Sequence, residues 1–137
     1  MFSQLKVSSI EAMSLIDEVL KRAARIRKEV AIAVCGPEGE LIAFIRMDGA
    51  SPAASRIAKN KAYTAAVDRK DTRLMGEFMS DENRPQPYWG DKQITGFGGG
   101  VTIRQEDVVV GGIGVSGLSE EDDEELAVAA IKAVFGK

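Results

Sequence analysis

The chain has no histidine among its 137 residues, and this limits the chemistry its other polar residues can do. Ser-His-Asp and Cys-His nucleophilic sites, histidine-bearing zinc sites and the usual axial ligand of haem iron are all removed. Acid-base work would fall to Asp, Glu, Lys, Tyr or the single Cys35. Arg46 stands just before Met47-Asp48-Gly49. Its planar fork suits a ligand carboxylate or phosphate, and equally an ion pair with Asp48 that pins the turn. Asp48, preceding glycine, is first of all a turn former. Lys61 sits in the alanine-rich run AKNKAYTA. If Ala58, Ala62 and Ala65 face a sheet, Lys61 lies beside that face and can reach into a cleft or snorkel to water, while Lys59 is solvated.

Two glycine-rich stretches accompany these charges. Gly98, Gly99 and Gly100 could present consecutive N–H donors to an anion, or form a bend between strands. The run VVVGGIGVSG over residues 108–117 places Gly111, Gly112, Gly114 and Gly117 where another backbone or a ligand can approach closely. The expectation is a pocket floor of bare main chain, with Ser116 donating a hydrogen bond into it. Asp122 and Asp123 match the positive end of a helix dipole, and one of them could also contact a ligand or a neighbouring subunit. Trp89, beside Tyr88, could form a lid or fasten a subunit interface. The acidic residues between 120 and 125 lack EF-hand spacing, so no metal site is expected. Neither a Walker nor a Rossmann glycine pattern is present, which leaves nucleotide binding without support.

The elements that must position these residues follow from periodicity. Ser8 and Glu11 have capping-box spacing, and Ile10, Met13, Leu15, Ile16, Val19, Leu20, Ala23, Ala24 and Ile26 recur at helical intervals. This predicts a helix over residues 9–27. Residues 30–35 and 41–47 read as a hairpin around Gly36-Pro37-Glu38-Gly39, and Ser51-Pro52 starts a helix over residues 53–66. Asp71-Thr72 opens a short helix, followed by an irregular stretch over residues 80–90. Ile94, Phe97, then residues 101–104 and 108–115, predict two or three further strands joined by Gln105-Glu106-Asp107. Ser119 caps a last helix with Leu126, Val128, Ala129, Ala130, Ile131 and Val134 as its apolar stripe. Strands linked mostly by hairpins favour an antiparallel sheet in an α+β domain.

A single domain over residues 1–137 is the natural reading of the length. The net charge of -3 gives no attraction to nucleic acid or anionic membranes. No apolar run is long enough to span a bilayer, the N-terminus does not read as a cleavable signal, and the lone cysteine fits a reducing compartment. The expected location is the cytoplasm.

Taken in order, VAIAVCGPEGELIAFIRMDGA (30–50), AKNKAYTA (58–65), FGGGVTI (97–103) and VGGIGVSG with EEDDEELA (110–127) cover nearly the whole chain. Together they resemble the GlcG/HbpS-like family, a domain labelled haem-degrading or haem-binding that also forms the C-terminus of PduO-type corrinoid adenosyltransferases. The resemblance implies a profilin-like three-layer α/β/α fold with a five-stranded antiparallel sheet, and assembly into dimers or larger homo-oligomers. It also implies haem or corrinoid as a ligand, for which this histidine-free chain would need Met47, Tyr63, Lys61 or Cys35 at the iron. The residues themselves lead first to a small-molecule-binding protein for an organic acid or the anionic group of a cofactor. Its site would comprise Arg46, Asp48, Lys61, Trp89, Gly98, Gly99, Gly100, Ser116 and Asp123. The alternatives are tetrapyrrole binding or haem degradation, an enzyme moving a proton or adding water next to a carboxylate, and a purely structural subunit.

Overall fold

Ser8 opens the first helix through the reciprocal cap its spacing predicts. The Glu11 N–H donates to Ser8 Oγ at 3.1 Å, and the Ser8 N–H donates to Glu11 Oε1 at 2.9 Å. A computed structural model describes residues 1–136, and in it α1 spans Ser9–Arg25. There follow β1 (Ala31–Cys35), β2 (Leu41–Arg46), α2 (Pro52–Val67), α3 (Thr72–Asp81), a 3-10 turn (Gln86–Trp89), β3 (Gly100–Gln105), β4 (Val108–Ser116) and α4 (Glu120–Phe135). The strands form one antiparallel sheet in the order β2-β1-β4-β3.

Strand alternation divides the core between two faces. Ile32, Val34, Ile113 and Val115 point to α1 and α4, packing with Leu15, Val19 and Leu126. Ala31, Ala33 and Cys35 point the other way, to Ala54, Ala58, Ala62 and Ala66 of α2. A helix carrying alanine on a strand carrying glycine can approach to backbone contact. A Cβ at Gly112 would stand 2.5 Å from the Ala62 carbonyl oxygen, and one at Gly114 2.6 Å from the Ala62 nitrogen.

The sheet has four strands, not the five expected. Residues 91–99, where Ile94 and Phe97 suggested a strand, run as a turn, a bend and irregular chain beside α2. The backbone there is satisfied by a side chain rather than a ladder: fully buried Thr64 donates through Oγ1 to the Gln93 carbonyl at 3.1 Å and accepts the Thr95 N–H at 3.0 Å. The apolar stripes also shift at their edges. In α1, Ile10 and Met13 are exposed, and in α4 Val128 is exposed while Ala127 is buried, because each helix rests in the angle between the sheet and the other helix. Among the described residues no helix is long and apolar enough to cross a membrane.

Candidate functional site

The glycine-rich stretches do not line an open hollow. Gly112 and Gly114 lie under α2, and a Cβ at Gly111 would meet the Cys35 carbonyl oxygen at 2.5 Å. The Gly98 N–H donates to Glu120 Oε1 at 2.6 Å and the Gly100 N–H to Thr72 Oγ1 at 2.8 Å. Gly99 has a φ of +123°, and a Cβ there would sit 2.7 Å from both Lys61 Nζ and the Val115 carbonyl oxygen. Glycine is needed here for its backbone conformation and for the space its missing side chain leaves to the lysine. The floor expected to offer free donors to an anion is instead closely packed, with the Gly98 and Gly100 donors engaged.

Lys61 and Asp123 are brought together, and to each other. Lys61 is 2% exposed and Asp123 1%. Lys61 Nζ donates to Asp123 Oδ2 at 3.1 Å and to the Val115 carbonyl at 2.8 Å, while Asp123 Oδ1 accepts the Leu118 N–H at 3.0 Å. Burial pushes the lysine down from its ordinary value and the carboxyl up, and each partner's charge opposes the other's shift. The pair joins α2 to the first turn of α4 past the end of the sheet.

Of the remaining sequence candidates, Ser116 follows Val115, whose carbonyl Lys61 holds, and the others are placed apart. Ser116 is buried at the end of β4, opposite Ala31, which in turn lies opposite Arg46. Arg46 is thus two strand spacings from Ser116, roughly 10 Å, and both it and Asp48 are exposed. Trp89 packs edge-on against Phe78, with ring centres 5.9 Å apart at 86°. Tyr88 beside it is exposed and carries the Arg84 guanidinium 5.3 Å from its ring centre.

The four residues considered as iron ligands each hold a structural position. Met47 Sδ accepts the Val30 N–H at 3.3 Å, and Tyr63 donates its hydroxyl to Asp91 Oδ2 at 2.6 Å. Lys61 is bound to Asp123. Cys35 is buried, and that burial, then the Glu40 charge, push its thiol up to about 12.

Among the described residues a larger concavity lies elsewhere, between α3 and residues 94–97. It is an open groove of ≈ 900 Å³ walled by Met79, Ile94, Phe97 and Pro85, with Arg73, Glu77, Asp81 and Glu120 also lining it. Two glycines bring its walls together: a Cβ at Gly96 would stand 2.8 Å from Gly76 Cα and 2.9 Å from Met79 Sδ. Thr64 and the Tyr63–Asp91 bond anchor the segment that carries Phe97, whose ring stays 56% exposed. The groove's cation, Arg73, is shared between Glu77 at 3.0 Å and Glu124 at 3.3 Å. Apolar walls with a mainly acidic polar lining suit a flat apolar molecule better than a small free anion. Sequence reading assigned Phe97 to a strand; the available signal was Gly76 inside a helix, which marks a close approach.

Comparison with known proteins gives this arrangement a family. A model of the family described as haem degrading protein HbpS-like matches residues 7–132. The chain belongs to the HbpS-like family. It is similar to protein GlcG of Escherichia coli strain K12, with 32% identity over 116 residues covering 85% of each chain. Its fold is that of Klebsiella pneumoniae protein ORFY, with a TM-score of 0.88 and 27% identity, over 100% of this chain and 96% of the other. A PduOC:haem complex shares the fold at a TM-score of 0.87 and 24% identity, over 94% of this HbpS-like chain and 95% of PduOC.

Proposed function

We propose that this chain binds a planar, largely apolar small molecule of the tetrapyrrole class in the groove between α3 and residues 94–97. The observation that carries the reading is the groove itself, whose ≈ 900 Å³ falls in the range of small-molecule and cofactor sites, about 300–1,000 Å³. Family membership supports it, as does the haem complex formed by PduOC on the same fold. A tetrapyrrole face would meet apolar surface from Phe97 and Pro85 and the thioether of Met79, and because Arg73 is already paired with Glu77 and Glu124 its acidic substituents would project into solvent. When bound, haem supplies a redox-active iron. The protein's part is to exclude water from one face of the ring and fix its position.

The organic-acid reading has less behind it. Lys61 is neutralised by Asp123, the Gly98 and Gly100 donors are engaged, and Arg46 stands apart on the β2 edge. Self-association belongs to the proposal as well, on a surface away from the groove. Exposed Ile10, Met13, Leu41 and Ile45 provide apolar surface that assembly would cover.

Titration of the purified protein with haemin tests the reading. A shifted Soret band saturating at a fixed stoichiometry is expected, with affinity reduced about tenfold in Phe97→Ser, the loss of roughly 1.4 kcal/mol. The absence of any shifted band at micromolar protein would refute it, and a calorimetric response to small carboxylates instead would restore the organic-acid reading.

A further inference from the structure

We infer that a second cavity, between the end of α1 and the start of α4, is a binding site for a small zwitterion with an apolar side chain, the chemistry of a free aliphatic or aromatic α-amino acid. The cavity measures ≈ 410 Å³ and shares no lining residue with the groove. It does not depend on the tetrapyrrole reading. Ile26, Leu118 and Leu126 supply its apolar surface, and Ile26 is still 53% exposed. Arg22 and Arg25 line it from α1, Asp122 and Glu125 from α4. The members of each pair are three positions apart, so they share one helix face.

These charges are available to a ligand. Among the described residues Arg25, Asp122 and Glu125 form no ion pair, and Arg22 reaches only Glu18, at 3.5 Å. Arg22 Nε is the one buried side-chain nitrogen or oxygen among them without a hydrogen-bond partner. A guanidinium held partly out of water and short of acceptors is stabilised by a carboxylate on its outward Nη groups. Two guanidinium groups and two carboxylates leave the lining neutral, so a simple anion loses to α4 what it gains at α1. An ammonium and a carboxylate on one molecule answer both walls. α1 and α4 pack directly against each other on the sheet, and the axes of packed helices lie about 8–10 Å apart. The opposite charges of the ligand must therefore be close together, as they are across a single Cα, with its side chain covering Ile26 and Leu118.

Calorimetric titration with L-leucine and L-phenylalanine tests the site, beside leucinamide, which lacks the carboxylate, and N-acetyl-L-leucine, which lacks the ammonium. Saturable binding of an amino acid at one site per chain is expected, with each derivative weaker by about tenfold or more. Arg25→Gln and Glu125→Gln alter exposed side chains, so both should fold as wild type does. Each should weaken amino-acid binding about tenfold and leave the haemin titration unchanged. No heat change at millimolar concentrations of either amino acid would overturn the inference. Equal affinity for leucine and its two derivatives would also overturn it, by reducing the cavity to an apolar contact. A lower unfolding midpoint in both variants, with amino-acid binding unaltered, would mean that the four charges serve only to pair α1 with α4, and would overturn it as well.

Discussion

Lys61 Nζ lies 3.1 Å from Asp123 Oδ2, with both side chains at most 3% exposed. The two residues are 62 positions apart in sequence. A charge pair this deep is stable only while both members are present, since either alone is a desolvated ion. The loss of stability on Lys61→Met or Asp123→Leu should be about 3–5 kcal/mol each. The double variant Lys61→Met with Asp123→Leu should lose clearly less than the sum. Urea unfolding of the four proteins measures the coupling, and additivity within about 0.5 kcal/mol would show that the residues act independently.

Gly114 carries α2 at backbone distance, so adding a methyl group there forces the helix off the sheet. Gly114→Ala should cost about 1–3 kcal/mol or more. A thermal melt reads the change, and an unaltered midpoint would mean that α2 lies farther from β4 than 2.6 Å from Cβ to the Ala62 nitrogen implies.

Thr64 is fully buried and makes two hydrogen bonds to residues 93–95. Thr64→Val keeps the shape and leaves a backbone donor and acceptor without partners, at a cost of about 1–3 kcal/mol. Amide exchange at Thr95 should accelerate, and haemin affinity should fall with it because the same segment carries Phe97. Unchanged exchange at Thr95 would show that the segment is held by other contacts.

Cys35 should be chemically silent. With its thiol pushed up to about 12, the thiolate fraction near pH 8 is roughly a thousandfold below that of an ordinary cysteine. Ellman's reagent should therefore react slowly with native protein and at once in urea. Equal rates in both conditions would contradict the burial.

Tyr63 sets an alkaline limit. Its hydrogen bond to Asp91, then burial, raise the phenol above its ordinary 10.0. A group raised on folding contributes stability that is complete below its unfolded value and lost as pH rises through the folded one. Denaturant midpoints for wild type should thus decline above about pH 10 more steeply than those for Tyr63→Phe. Parallel curves for the two proteins would mean that the phenol contributes nothing to the alkaline loss.

Much of the fold was legible because its signals are local. The Ser8–Glu11 cap, the Ser51-Pro52 and Ser119 helix starts, and the 36–39 turn each depend on residues within one or two turns of each other. The fifth strand was misread because Ile94 and Phe97 carry strand-like apolar character, while the bond that decides their conformation comes from Thr64, some 30 residues earlier. Family resemblance had implied the extra strand, and the four-stranded order β2-β1-β4-β3 corrects it.

The candidate site was legible only in part. Lys61 was a candidate for its place beside an alanine face and Asp123 was read mainly as a helix-dipole acid, and the structure makes them partners of each other. The groove went unread because its lining comes from α3, the Pro85–Gln86 stretch, residues 94–97 and the start of α4, and no periodicity links those segments.

The amino-acid sequence by itself determined where helices begin, which faces are apolar, and that no histidine chemistry is available. Only the tertiary structure decided what fills the space beside each glycine. A missing side chain leaves the same gap for a ligand, a lysine or a helix backbone, and the occupant is set by long-range packing. In this protein α2 occupies it at Gly112 and Gly114 and Lys61 at Gly99, while the open groove lies at Gly76 and Gly96, beside the sulfur of Met79.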